Sequence, residues 1–262
     1  MAAAMIGDRS AVLGMIKGYS DHDNLSAAVW HESRAAYCEY KEQFFAAQFH
    51  LQHLLQLGDP SDDLWVRLGR AQATGGDLRG ALASFLHTSP RVARKNLARI
   101  GLLKLALEDN TFDESAKACG GESDAQTTID YGWLLVLAEP KPERMTEIRS
   151  VLKRLPQSKP PYVSLVLRAA LHSVLGKHEL ALEILKDAAR NSITSTEMLG
   201  LSALVMNNAG DTNAATQRMA EALQTSKVKS ATWEQRVRFE LIRKRFALAA
   251  EQEDDKSTAF TR

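Results

Sequence analysis

Residues 62–85 read DDLWVRLGRAQATGGDLRGALASF, and this stretch decides the fold. Apolar residues recur three and four positions apart on both sides of Gly75 and Gly76, which is the spacing of two amphipathic helices. Glycine allows the backbone to reverse between such helices. Gly69 and Ala81 are small, so the two helices can approach closely where they cross. The stretch therefore predicts an antiparallel helix pair.

The same arrangement returns along the chain at a nearly constant interval. Five alanines occupy the start of the second helix of a pair, with separations of 34, 35, 65 and 34 residues. The gap of 65 leaves room for one divergent pair at about 125–156. A fixed period of about 34 residues with two helices in each unit is typical of a stacked helical array. The five alanines are Ala47, Ala81, Ala116, Ala181 and Ala215.

Residues 62–95 carry a W-x-x-L-G motif followed by an A-x-x-x-F motif, and this resembles the tetratricopeptide (TPR) repeat. The resemblance covers about 28–229 and implies an all-α fold, a right-handed α-solenoid of about six TPR-like antiparallel pairs. Gln72 departs from the family pattern, which often has Tyr there, and Pro90 comes early. An α-solenoid of another repeat type is the alternative. The motif residues are Trp65, Leu68, Gly69, Ala81 and Phe85.

The two ends of the chain differ from the repeats. Residues 1–24 are expected to form a partly flexible N-terminal segment before a helical repeat domain at 25–229. Residues 230–251 form a continuous helical pattern without a partner helix and are predicted to cap the last repeat. The polar tail 252–262 is predicted to be disordered. The residues expected to face the last repeat are Trp233, Val237, Leu241 and Leu248.

Composition limits the class of protein. The 262 residues include 33 basic and 32 acidic side chains, a net charge of +1, which argues against a general binder of nucleic acid or anionic membranes. The longest apolar run, 133–138, is far below the ~20 residues that span a bilayer. Cys38 and Cys119 form no disulfide framework. We expect a soluble protein of a reducing, cytoplasmic compartment.

No recognisable motif for catalysis, phosphate binding or metal binding occurs in the sequence. His50 and His53 lie three positions apart on one helix, yet nothing nearby completes a four-ligand metal site. The expectation is therefore no catalytic residue, no cofactor and no metal. An enzyme or metal protein with a site built from distant residues is kept as an alternative.

The segment 233–246 is the densest basic stretch, interleaved with aromatic residues. One interpretation is contact with phosphates, which predicts a nucleic-acid-associated regulator whose binding depends strongly on salt. The other is a capping helix with a solvated basic face. The basic residues concerned are Arg236, Arg238, Arg243, Lys244 and Arg245.

The TPR resemblance also implies a binding surface, because the first helices of successive pairs line a concave groove that takes a peptide or a helix. The side chains projected there are mixed and fairly apolar, and they lack the cationic clamp with which one TPR subgroup holds acidic tails. We expect an adaptor that binds a helix or an apolar peptide segment of a protein partner, and self-association is an alternative. The projected groove residues are Val66, Arg70, Thr74, Leu105, Asp109, Val166, Ala170, Leu204, Asn207 and Asn208.

Overall fold

The computed structural model describes residues 24–58, 60–120, 125–139, 141–156, 162–191, 195–226 and 231–259. Every regular element in this part of the chain is an α-helix. The chain forms two compact units, Met1–Asn96 and Leu97–Arg262. None of the described helices is long and apolar enough to cross a membrane.

The first unit contains five described helices, and four of them pack in order, each against the next along the chain. Its core is formed where α1, α2 and α3 meet, around the fully buried Ala35 and Leu51 and the nearly buried Leu68. The helices are α1 (Asn24–Tyr40), α2 (Phe44–Leu57), α3 (Asp62–Gly75), α4 (Leu78–Leu86) and the short α5 (Pro90–Lys95).

The α3–α4 pair forms as its sequence predicts. At the end of α3, Gly76 adopts a φ of 91°, the left-handed conformation that favours glycine. Where the helices cross, a Cβ added to Gly69 would lie 3.1 Å from Cε2 of Phe85. Phe85 is fully buried there, and Trp65 stacks on His87 with the ring centroids 4.6 Å apart. The absence of a side chain at Gly69 therefore favours the close approach of the two helices.

The two departures from the TPR pattern have structural explanations. Gln72 is buried, and its Oε1 accepts a hydrogen bond of 2.6 Å from the hydroxyl of Ser84 on the facing helix. A polar pair thus replaces the aromatic side chain of the family. Pro90 is the first residue of α5, a helix that was not predicted from the sequence. Proline is well suited to the first helical position.

The second unit contains four further helix pairs and a long terminal helix. Small residues again mark close approach: a Cβ on Gly101 would lie 2.8 Å from Leu134, and one on Gly132 would lie 2.8 Å from Leu167. The helices are α6 (Leu97–Ala106), α7 (Phe112–Gly120), α8 (Ala125–Leu137), α9 (Pro142–Arg154), α10 (Tyr162–Val174), α11 (His178–Asn191), α12 (Thr196–Asn208), α13 (Thr212–Ser226) and α14 (Trp233–Ala259).

The six pairs α1–α2, α3–α4, α6–α7, α8–α9, α10–α11 and α12–α13 confirm the predicted all-α fold of TPR-like helix pairs. The two helices of each pair contact one another. They are joined by short turns, so they run antiparallel. As the glycines of the sequence indicated, α7 is short and ends at Gly120.

The terminal helix α14 packs on α12, as predicted for a capping helix, but it also contacts α6 and α8. Two of the predicted contact residues are nearly buried, Trp233 and Val237, whereas Leu248 is half exposed, so its predicted position was wrong. The helix continues to Ala259 rather than ending near 251, since no glycine or proline interrupts it. The division of the chain into domains by sequence stays a prediction, and the N-terminal segment lies outside the described residues except for Asn24.

Candidate functional site

The first helices α6, α8 and α12 of the second unit together hold α14, and we call this face the α14 groove. Its apolar contact centres on Gly200 of α12. A Cβ on Gly200 would lie 2.9 Å from Phe239 and 3.4 Å from Ile242. Both side chains are buried in the folded unit. The missing side chain of Gly200 therefore makes the space that receives the apolar face of α14.

A polar contact lies beside this apolar one. The guanidinium carbon of Arg238 lies 5.2 Å from the ring centroid of Trp133, a cation–π arrangement. Its Nη1 lies 3.5 Å from Oε1 of Glu197, and its Nη2 lies 3.9 Å from Oδ1 of Asp130. We call Asp130, Trp133 and Glu197 the arginine cleft. It combines an aromatic face with two carboxylates, which is a chemistry suited to a planar cation.

Burial controls the electrostatics of the cleft. Desolvation raises the pKa of both Asp130 and Glu197, and the charge of Arg238 opposes this increase in each case. Close by, Nε of Arg99 lies 3.1 Å from Oε1 of Glu234 at the start of α14. The cleft region thus contains three carboxylates and two guanidinium groups, so its acidic groups are only partly neutralised.

The other end of α14 is held by polar groups as well. Arg245 donates a hydrogen bond from Nη1 to the carbonyl oxygen of Val136 on α8, and burial lowers the pKa of this arginine. Lys244 forms an ion pair with Glu108, which follows α6. These contacts place two of the predicted basic residues against the second unit itself.

The remaining basic residues of α14 point away from the groove. Arg243 forms an ion pair of 2.6 Å with Glu240 one turn earlier on the same helix, and both side chains are about half exposed. Arg236 is exposed. The five residues predicted as one basic surface are therefore divided: Arg238, Lys244 and Arg245 contact other parts of the second unit, and the other two are exposed.

The projected groove residues differ in accessibility. Two of them are exposed, Arg70 and Asn208, and four are half-buried. The four half-buried ones are Val66, Thr74, Leu105 and Asp109. The buried ones are Val166, Ala170, Leu204 and Asn207. Whether this set contacts a partner stays a prediction. The arginine cleft was not predicted from the sequence, although Asp130 and Glu197 are single carboxylates beside strongly apolar runs.

The first unit contains a separate cluster of histidines between α1 and α2. The Nδ1 atoms of His31 and His50 lie 3.0 Å apart, and the ring of His53 stacks on that of His31 with the centroids 4.9 Å apart. Desolvation lowers the pKa of both His31 and His50 to about 4, and neighbouring imidazoles add to the effect. No group of three metal-ligating side chains suited to an ion occurs in the described part of the chain.

Comparison with solved structures finds chains of similar fold. The crystal structure of a tetratricopeptide repeat protein from Parabacteroides merdae is similar over 86% of this chain and 99% of its own, with a TM-score of 0.48 and 14% sequence identity. No protein-family model matches this chain. No curated protein matches it either.

Proposed function

We propose that this chain is a non-catalytic adaptor that uses its TPR-like helix pairs to bind a helix or an apolar peptide segment of a protein partner. It would hold that partner within a multiprotein complex, in the cytoplasm. The observation that supports the proposal is the α14 groove, where α6, α8 and α12 already hold the helix α14. A face of first helices in this chain thus has the shape and chemistry to receive a helix.

The way in which α14 is held supports helix recognition in particular. Gly200 removes the side chain that would otherwise prevent close approach, and the apolar residues Phe239 and Ile242 fill the space. Charged contacts at Glu197 and Glu108 lie on either side of that apolar centre along α14. An apolar centre with charged contacts around it is the usual composition of a helix-in-groove interface.

In the first unit, the first helix α3 has a side that is accessible to solvent. On α3, the side chain of Arg70 is exposed, and those of Val66 and Thr74 are half-buried. They lie four residues apart in sequence, so they share one side of α3. We assign the partner-binding surface of the first unit to this side.

The proposal is tested by affinity capture from the native cell followed by mass spectrometry, with two full-length variants. Arg70→Glu reverses a charge on the proposed binding side of α3, and Arg79→Glu makes the same change at an exposed position of the second helix α4. We expect partners that are lost with Arg70→Glu and retained with Arg79→Glu. Identical sets of captured proteins for the two variants would contradict binding at this side of α3.

A further inference from the structure

We infer that the arginine cleft is a recognition site for an arginine on a partner's amphipathic helix, and that such a helix takes the place of α14 in the α14 groove. The inference deepens the proposed function and rests on it, because it states which residue of a partner helix is read. The partner is a protein that carries an arginine between two apolar residues, as Arg238 lies between Val237 and Phe239.

The cleft is incompletely satisfied by its present occupant. The distances from Arg238 to Glu197 and Asp130, 3.5 and 3.9 Å, are longer than the ~2.7–2.9 Å of a well-formed bond between a guanidinium and a carboxylate. The indole Nε1 of Trp133 is also buried and has no hydrogen-bond acceptor among the described residues. A partner helix that brings its arginine closer, or that offers an acceptor to Trp133, would bind better than α14 does.

The cleft also constrains the chemistry of the occupant. Asp130 and Glu197 are largely removed from water, and Nε2 of Gln126 donates a hydrogen bond of 3.0 Å to Oδ1 of Asp130. An occupant without a cation would still remove from both carboxylates the positive charge that offsets their burial. The flat ring of Trp133 favours a guanidinium over an ammonium group, because the former can stack on an aromatic face. Lysine is therefore a poor substitute for arginine at this position of the partner helix.

The buried residues of α14 indicate which residue types a partner helix needs at each position relative to its arginine. Relative to the arginine, apolar side chains are needed at positions −5, −1, +1 and +4, where α14 has Trp233, Val237, Phe239 and Ile242. A second basic residue at position +7 would match Arg245, which reaches the carbonyl of Val136. This pattern distinguishes the expected partner helix from an amphipathic helix of arbitrary charge.

The inference is tested with a fluorescent peptide of residues 231–248, ATWEQRVRFELIRKRFAL, and full-length chains. In the full-length variant Arg238→Glu, the new carboxylate would lie beside Glu197 and Asp130. Repulsion between these like charges should weaken the binding of α14 in its groove. We expect this chain to bind the peptide at least tenfold more tightly than the unmodified chain, whose own helix competes at an effective concentration near the millimolar range. Fluorescence anisotropy gives both dissociation constants.

The matched control reverses a charge outside the cleft. Arg243→Glu changes the net charge equally, but Arg243 forms its ion pair with Glu240 of its own helix and not with the cleft. This chain should bind the peptide as weakly as the unmodified one. Within the peptide, Arg238→Lys or Arg238→Glu should weaken binding to the Arg238→Glu chain at least tenfold, and Arg243→Glu should have little effect.

Three results would overturn the inference. Peptide binding that does not depend on its arginine would show that the cleft does not read this residue. Loss of helical circular dichroism in Arg238→Glu would show that α14 is a permanent part of the core. A stable dimer of the unmodified chain in light scattering, absent in Arg238→Glu, would show that the exchanged helix comes from a second copy. Each result leaves the Arg70→Glu capture experiment unaffected, so failure here is distinguishable from failure of the proposed function.

Discussion

The two buried imidazoles of the first unit predict a strong acid sensitivity. Between pH 7 and pH 5, we expect the free energy of unfolding to fall because His31 and His50 remain neutral in the folded chain. Their pKa values are lowered from 6.5 to about 4, so the unfolded chain binds more protons than the folded chain in this window. Stability is therefore lost as the pH falls from 6.5 towards 4.

The size of the effect follows from the displaced pKa values. Each unit of pKa difference corresponds to about 1.4 kcal/mol. Between pH 7 and pH 5, the lowered pKa of each imidazole should reduce the free energy of unfolding by about 2 kcal/mol. His31 and His50 together should thus remove about 4 kcal/mol from the free energy of unfolding. This is a large share of the 5–15 kcal/mol that is typical of folded domains.

Urea unfolding followed by circular dichroism at pH 7, 6 and 5 measures this loss. The variant His31→Leu with His50→Leu removes both members of the hydrogen-bonded imidazole pair together. Its stability should change by less than about 1 kcal/mol over the same range, since both buried titrating groups are absent. His87→Gln serves as the control, because His87 is exposed and lies outside the cluster. A loss of about 4 kcal/mol in the double variant would refute the reasoning.

Three further predictions concern the first unit. Gly69→Val places methyl groups against Phe85 and should lower the free energy of unfolding by at least about 2 kcal/mol, measured by thermal unfolding. Gln72→Leu strands the hydroxyl of Ser84 and should cost about 1–3 kcal/mol, whereas the addition of Ser84→Ala should restore most of that loss in a double-mutant cycle. Arg67→Ala should destabilise the chain by about 1–3 kcal/mol and reduce the dependence of its stability on salt, because this arginine joins carboxylates of α1 to α3.

The fold was predictable because its determinants lie close together in sequence. Gly69, Gly76, Ala81 and Phe85 act within one helix pair, and the period repeats their arrangement. Small residues at the crossing of two helices and a glycine at the turn between them indicate a helix pair with little ambiguity. The short helix α5 was missed for the same local reason, since Pro90 is compatible with either ending a repeat or beginning a helix.

The arginine cleft was not predictable in this way. Arg238 meets Glu197 and Asp130 across 41 and 108 positions of sequence, and nothing local indicates those pairings. The pattern of α14 also leaves its orientation open, because apolar and charged residues occur on several sides. The sequence consequently predicted that Leu248 faces inward, whereas Phe239 does so in the structure.

The cleft changes what the basic segment indicates about function. A net charge of +1 for the whole chain is compatible with one basic helix, and the structure gives Arg238, Lys244 and Arg245 acidic or carbonyl partners within the second unit. Phosphates would have to compete with those partners, which are tethered to the same chain and so act at a high effective concentration. On the outer side of α14, Arg236 is exposed and Arg243 forms an ion pair with Glu240 of the same helix. Because each phosphate contact contributes about one ion to the salt dependence of binding, we expect α14 in its groove to bind nucleic acid weakly and with a shallow dependence on salt.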